Sequence, residues 1–186
     1  GQLLDVDLPG IWGEFAASWL PDGTGFFLTQ MDLDALATPG ADPLQGMTAH
    51  LHTLSTGTSR PVFGPGVDSS EPVSSTEFPL VFTTAGSPWL LGAGLNARAE
   101  QHLAVVHVDA LGRSPIPWRH VASFDDNVVD AAILGDDLLV LSTDRSPHGE
   151  VLRLSASAPV LAEAQVVVSA DETIQRRLAT DGAALF

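Results

Sequence analysis

A strand–turn–strand segment recurs four times along the chain, and this recurrence constrains the fold more than any other feature. In each copy an apolar stretch leads into a Gly or Asp turn and a second apolar stretch follows, which is the pattern of a tight β-hairpin. The turns centre on Asp22, Gly86, Gly135 and Asp181, at separations of 64, 49 and 46 residues. Since further strand candidates lie between successive hairpins, each period predicts one four-stranded antiparallel sheet, the repeating unit of a β-propeller.

The predicted fold class is all-β, because the hydrophobic segments are short and 13 Pro and 17 Gly interrupt the chain. The clearest strand candidates are Glu14 to Leu20, Phe26 to Met31, Ala49 to Leu54, Leu80 to Thr84, Leu103 to Val108, Val128 to Leu134, Leu138 to Thr143, Val151 to Leu154 and Gln165 to Val168. Asp32 to Gln45 is predicted to be an inserted surface loop, and Asp68 to Glu77 a connection between blades.

The period predicts a β-propeller fragment of about three to four blades, forming a single domain over residues 1–186. The predicted blades cover residues 14–67, 78–123 and 128–168, and the next blade begins at 173–186. Ring closure is what removes exposed strand edges in propellers, and this number of blades is too small to close a ring. We therefore expect self-association through open blade edges, with Leu185-Phe186 as the pairing edge, or attachment to the rest of a parent protein.

The composition excludes several classes of partner. Eight Arg, no Lys and 23 Asp plus Glu give a formal net charge of −15, which disfavours nucleic acid and anionic membranes as partners. The acidic residues are dispersed, as expected for solvated turns. Cysteine is absent, and no apolar run approaches the ~20 residues of a membrane-spanning helix. A soluble protein is expected, with a cytoplasmic location favoured over a secreted one.

No catalytic residue or cofactor is predicted from the motifs. A nucleophile elbow needs Gly-x-Ser-x-Gly on a strand-to-helix turn, and this pattern is missing from the sequence. Ser59 and Ser87 stand in turn contexts next to Pro61 and Pro88, where a structural role is favoured over nucleophilic catalysis.

The histidines predict no metal site. His50 and His52 are two residues apart, so they share one face of a strand, but no third ligand is evident nearby and a half-exposed strand face is favoured. His102 and His107 are five apart and would point to opposite faces of one strand, so their spacing indicates no site.

Two further patterns are interpreted as structural. Trp19, Trp89 and Trp118 fall at strand or hairpin positions, where burial between blades explains them better than a carbohydrate-binding platform does. The acidic residues at Asp22 and at Asp136-Asp137 lack the oxygen-ligand series of an EF-hand and are interpreted as turn residues.

Four segments resemble, in order, the propeller domain of the prolyl oligopeptidase family of serine peptidases. They are Trp19-Leu-Pro-Asp-Gly-Thr-Gly-Phe26, Ala49 to Gly57 with Val62-Phe63-Gly64 after it, Pro117-Trp-Arg-His-Val121, and Gly135 to Leu154, which includes Ser142-Thr-Asp-Arg-Ser-Pro-His-Gly149. The resemblance implies a propeller seated over an α/β-hydrolase domain, with short peptides reaching a serine nucleophile between them. It also implies that Arg98, in the loop Leu95 to Gln101, faces the substrate cavity, the alternative being a solvated Arg or one paired with Glu100.

The resemblance favours a non-catalytic propeller portion that restricts access to short peptides and helps to line the cavity. Its implied partner is the C-terminal α/β-hydrolase domain of the parent protein, which would supply the serine-type endopeptidase activity of a hydrolase. The alternative is a stand-alone propeller-like module that binds a protein or glycan. A self-sufficient enzyme would need a nucleophile or metal constellation that the sequence does not suggest.

Overall fold

The computed structural model describes residues 7–14, 16–170, 177–180 and 184, and its strands form three four-stranded sheets. The first sheet contains β1 Ser18–Trp19, β2 Gly25–Gln30, β3 Thr48–Thr53 and β4 Thr58–Phe63. The second contains β5 Phe78–Thr83, β6 Trp89–Leu95, β7 His102–His107 and β8 Arg119–Ala122. The third contains β9 Val128–Leu134, β10 Asp137–Ser142, β11 Glu150–Ser155 and β12 Gln165–Val168.

Helical structure is confined to one α-helix and three single 3-10 turns in the described residues. The helix, α1 Leu33–Ala37, lies in the predicted surface loop, where the Asp32 side chain accepts hydrogen bonds from the backbone of Asp34 and Ala35. The 3-10 turns are Val108–Ala110, Phe124–Asp126 and Leu161–Glu163. Within the part of the chain described, no helix has the length and apolar character needed to cross a membrane.

Each sheet is an antiparallel meander in which strands adjacent in sequence are adjacent in space. The hairpins β1–β2, β5–β6 and β9–β10 turn at Asp22, Gly86 and Gly135, as the recurrence predicted. Gly86 has a φ of 78° and Gly135 a φ of 62°, a region that glycine enters without steric cost. The all-β fold of consecutive four-stranded sheets is confirmed, while the hairpin predicted at Asp181 lies outside the described residues.

The strand predicted over Glu14 to Leu20 is present only at Ser18–Trp19, and a turn at 13–14 divides this edge of the first sheet. Ile11 forms an isolated bridge with Gln30 at one end of β2, and only Ser18–Trp19 pairs at the other end. Two outer strands, β4 and β8, were absent from the predicted strands. Both are the last strands of their sheets, and β4 contains Pro61, which an edge strand tolerates.

Aromatic and aliphatic side chains fill the interface between the first and second sheets. Phe27, Leu51 and Phe63 of the first sheet pack against Leu90 of the second sheet and against Trp118, which directly precedes β8. The Trp118 and Phe63 ring centroids are 4.8 Å apart, and Trp118 Nε1 donates a hydrogen bond of 2.8 Å to the Val62 carbonyl.

A second interface joins the second and third sheets, where Trp89, Leu103 and Val105 pack against Ile133 and Leu138, among others. Polar groups at its edge also cross between the sheets. Trp89 Nε1 donates to Asp136 Oδ1 at 3.0 Å, and Ser87 Oγ donates to the Gly135 carbonyl at 2.7 Å.

The predicted burial of tryptophan between blades is correct for Trp89 and Trp118 and wrong for Trp19. Trp89 and Trp118 are 8% and 3% exposed, whereas Trp19 is 52% exposed. The Trp19 ring contacts the Phe26 ring at 4.9 Å in a tilted arrangement, whereas the neighbouring Phe27 enters the core with the second sheet. Since successive strand residues point to opposite faces, Phe26 and Trp19 lie on the face away from that core.

Candidate functional site

Ionisable side chains gather at one end of the second sheet. The antiparallel register pairs Gly94 with His102 and Leu103 with Ala122, so the end of β6, the start of β7 and the end of β8 lie side by side. The connection 64–77, which leads into β5, reaches the same end. Residues distant in sequence are thereby brought within hydrogen-bond distance of one another.

The centre of this site is a cluster of two glutamates and two histidines, here called the Glu–His cluster: Glu71, Glu77, His102 and His120. His102 Nδ1 lies 2.7 Å from Glu77 Oε2, and His102 Nε2 lies 2.8 Å from Glu71 Oε1. His120 Nδ1 approaches the same Glu71 oxygen at 2.8 Å. The side chains of Glu71, Glu77 and His102 are 9%, 7% and 8% exposed, whereas that of His120 is 51% exposed.

Local structure fixes the position of Glu77. Its Oε1 accepts a 2.8 Å hydrogen bond from the backbone N–H of Ser74, one turn earlier. Opposite it, Gly94 on β6 leaves the space that the carboxylate occupies, since a Cβ at this position would collide with Glu77 Oε2. The rings of Phe63 and Phe124 flank His102 at 6.2 and 6.3 Å, so the cluster lies beside apolar groups.

The electrostatics favour a protonated His102. Burial acts to lower its pKa, but the hydrogen bonds and charges of Glu71 and Glu77 outweigh burial and raise the pKa to about 9. For Glu71 burial acts to raise the pKa, and the hydrogen bonds from His102 and His120 turn the net change downward. A protonated His102 donates from both ring nitrogens, Nδ1 to Glu77 and Nε2 to Glu71.

Arg98, the residue expected to face a substrate, lies at the outer margin of the same end. Its Nε is 3.1 Å from Glu100 Oε2, its Nη1 is 3.1 Å from Asp125 Oδ1, and its Nη2 donates to the Phe124 carbonyl at 2.7 Å. Hydrogen bonds to Asp125 and then Glu100 raise the pKa of the guanidinium. The side chain is 47% exposed, so part of it remains open to solvent.

Phe124 connects Arg98 with the Glu–His cluster. Its ring centroid is 5.8 Å from the Arg98 guanidinium carbon and 6.3 Å from the His102 ring. The capping hydrogen bonds from Ser123 to Asp126 hold the 3-10 turn that carries Phe124. Arg98 and the Glu–His cluster thus both contact the Phe124 ring.

The first histidine pair has a different environment from the one predicted. His52 is fully buried under the Phe26 ring at 5.1 Å, so the expectation of a half-exposed face is wrong for it. Its Nδ1 lies 2.9 Å from Ser59 Oγ, while His50 Nε2 lies 2.7 Å from Thr48 Oγ1. Burial lowers the pKa of His50. No carboxylate of the described residues joins the two rings in a metal-ligand group.

The two serines considered as nucleophiles have structural contacts. Ser87 donates to Gly135 across the interface between sheets. Ser59 contacts His52, but the other ring nitrogen of His52 has no hydrogen-bond partner among the residues described, so the group that would orient the ring as a base is missing there.

Sequence reasoning missed the Glu–His cluster because its members come from separate elements. His102 and His107 do lie on one strand, and only His102 points toward the cluster. Glu71 and Glu77 belong to the connection between sheets, and His120 lies on β8. The usable signal was that His102 and His120 each directly precede an apolar residue, Leu103 and Val121, within the second predicted blade, 78–123.

The described fold is similar to solved structures of prolyl oligopeptidases. A structure from a study of two prolyl endopeptidases aligns with a TM-score of 0.65 at 18% identity, over 84% of this chain and 22% of that chain. Prolyl oligopeptidase B from Galerina marginata aligns with TM-scores of 0.64 and 0.63, at 15% identity in both cases. The first structure is bound to a 35mer hydrolysis and macrocyclization substrate, and its alignment covers 92% of this chain and 23% of that chain. The second is bound to a 25mer macrocyclization substrate, and its alignment covers 95% of this chain and 24% of that chain.

These alignments confirm the resemblance at the level of the fold. The chain spans less than a quarter of the length of each of these structures. No family model matches the sequence, and a search of curated proteins finds no match.

Proposed function

From the fold shared with prolyl oligopeptidases, we propose that this chain is the non-catalytic propeller portion of a prolyl oligopeptidase-like serine peptidase. In this proposal residues 1–186 form one domain with blades near 14–67, 78–123 and 128–168, and a C-terminal α/β-hydrolase domain is the partner. The propeller restricts access to short peptides and lines the cavity. The observation that carries the proposal is the structural alignment over 84–95% of the chain.

Arg98 is proposed to contact peptide in this assembly. Three hydrogen-bonding groups and the Phe124 ring hold its guanidinium at the end of the second sheet, and its side chain stays 47% exposed. A cation positioned in this way needs little further ordering to bind a carbonyl or carboxylate of a peptide. Peptide binding would compete with Asp125, whose side chain is 91% exposed.

The test replaces Arg98 by Ala in the full-length peptidase, with Arg153→Ala as the matched control. Arg153 is also about half exposed and forms an ion pair of 2.8 Å with Asp137 on the third sheet. We expect R98A to raise KM for a short proline-containing peptide while R153A leaves it unchanged. Both variants should stay within about 0.5 kcal/mol of the parent in unfolding free energy. Unchanged kinetics in R98A would contradict the peptide contact.

The 186-residue chain alone is expected not to hydrolyse a proline-containing reporter peptide. Acyl transfer needs a positioned nucleophile, a base and oxyanion donors, and we assign all three to the partner domain. Turnover by a purified sample that a serine-directed inhibitor blocks would overturn this assignment.

A binding module is the second candidate function. Helix α1 exposes Leu33 and Leu36 at 41% and 50%, on the surface loop of the first sheet. Exposed apolar side chains on a loop are suited to contact with a protein partner. A full reading frame without a hydrolase domain would favour this candidate over the peptidase.

A further inference from the structure

We propose that Glu71, His102 and His120 form a binding site for a divalent transition-metal ion of the zinc class, with Glu77 as an outer carboxylate. The site lies between the connection 64–77 and the strands β7 and β8. It is independent of the peptidase assignment, because it rests only on the residues of this chain.

The donor set and its spacing suit such an ion. One carboxylate oxygen and two imidazole nitrogens, from the three ligand residues, all lie within 4.8 Å of one another. Zinc binds these donors at about 2.0–2.2 Å, so tetrahedral ligands lie roughly 3.4 Å apart. The Glu71 oxygen is 2.8 Å from each histidine nitrogen. An ion between these donors therefore requires the Glu71 oxygen to lie roughly 0.6 Å farther from each histidine nitrogen.

Glu77 does not reach the ion in this proposal but holds the ligand His102 in place. Metal-binding histidines usually donate the remaining ring N–H to a carboxylate, which fixes the tautomer and strengthens the ligand. His102 Nδ1 is 2.7 Å from Glu77 Oε2, which leaves Nε2 to face Glu71. Glu77 is itself held by the Ser74 N–H, so the orientation of His102 is set before any ion binds.

Charge balance favours a divalent cation. The carboxylates of Glu71 and Glu77 are both more than nine-tenths buried, and buried anions need compensation. Coordination by His102 Nε2 releases to solvent the proton that this nitrogen otherwise donates to Glu71. A divalent ion held by two neutral imidazoles then compensates both carboxylates.

The site is accessible from one side. The His120 side chain is 51% exposed, so an ion can enter there and retain a solvent molecule as a further ligand. A bound ion would tie the connection 64–77 to the second sheet through bonds from Glu71 to His102 and His120. Metal binding would therefore make the connection 64–77 between the first two blades more rigid.

The experiment titrates the chelator-treated 186-residue chain with Zn²⁺ in competition with a chromophoric zinc indicator. We expect one ion per folded chain and a rise in melting temperature with added zinc. His120→Asn should weaken binding at least tenfold, and its half-exposed position keeps the fold intact, as circular dichroism will verify. His107→Asn, on the opposite face of β7, is the control and should leave the affinity within twofold.

Two further variants test the outer carboxylate. Glu77→Gln should weaken binding by about 10–100-fold. Gly94→Ala, which displaces the Glu77 carboxylate, should weaken binding too, whereas Gly112→Ala, with open space around its Cβ, should not. Co²⁺ should give visible absorption in the parent chain that H120N lacks. The proposal is overturned if the folded chain binds no stoichiometric zinc, or if H120N binds as tightly as the parent.

Discussion

Replacing Trp118 by Phe tests whether the interface between the first two sheets stabilises the fold as its geometry indicates. Trp118 is 3% exposed, its ring packs at a tilt of 54° against Phe63, and its Nε1 donates to the Val62 carbonyl at 2.8 Å. Val62 lies at a bulge in the pairing of β3 with β4. Ala49 is opposite Phe63 and the next residue, His50, is opposite Pro61, so Val62 has no partner on β3. The bulge leaves Val62 out of the cross-strand pairing, and its carbonyl accepts from the indole.

The expected loss follows from two contributions. Phenylalanine removes the donor and leaves a buried carbonyl unpaired, which costs about 1–3 kcal/mol. A residual cavity of roughly 40 Å³, at about 24 cal/mol per Å³, adds about 1 kcal/mol. We therefore expect W118F to lower the free energy of unfolding by about 2–4 kcal/mol, a large part of the roughly 5–15 kcal/mol typical of a domain.

The assay is urea unfolding followed by far-ultraviolet circular dichroism at low protein concentration. Trp19→Phe is the matched control, because Trp19 is 52% exposed, and we expect a change within about 0.5 kcal/mol. Both variants should keep the parent m-value. A loss below 1 kcal/mol in W118F, or equal losses in the two variants, would refute the assigned role of the indole hydrogen bond.

Two other predictions concern pH and association. Hydrogen bonds from Ser123 lower the pKa of Asp126, so its contribution to stability is present above the unfolded pKa of about 3.9 and is lost as pH falls through the folded pKa. Asp126→Asn should therefore lose less stability on acidification than the parent, and parallel curves from pH 5 to pH 2 would contradict this. Strand β12 is exposed throughout, including Val167 at 45%, and among the described strands it pairs only with β11. Because the net charge of −15 makes two chains repel each other, added salt should strengthen self-association through β12, and Val167→Lys should weaken it. Light scattering measures the oligomeric state, and a chain that stays monomeric at every concentration and salt would contradict association through this strand.

The hairpins were predictable because their causes are local. A turn such as that at Gly135 needs a residue that tolerates positive φ between two apolar stretches, and both features are visible within a dozen residues. The division of the edge strand at 13–14 was not predictable in this way, because it depends on how the segment aligns along β2. The bulge at Val62 likewise arises from the pairing with β3.

The candidate site was only partly predictable. The family resemblance directed attention to Arg98, but its binding to Asp125 and Phe124 depends on the fold after β8. The exposure of Trp19 also depends on tertiary structure, since it follows from which face of the first sheet contacts the second.

The sequence by itself determined an acidic, all-β chain of repeated four-stranded sheets, because turn chemistry, strand length and charge are properties of neighbouring residues. Only the tertiary structure decided the Glu–His cluster. Glu71 and Glu77 come from a connection, His102 and His120 from two paired strands, and Gly94 supplies the space for a carboxylate. The register of the second sheet brings His102 and His120 to the same end of the sheet, where each lies within 3 Å of a glutamate oxygen. Register is a long-range property set by packing between strands.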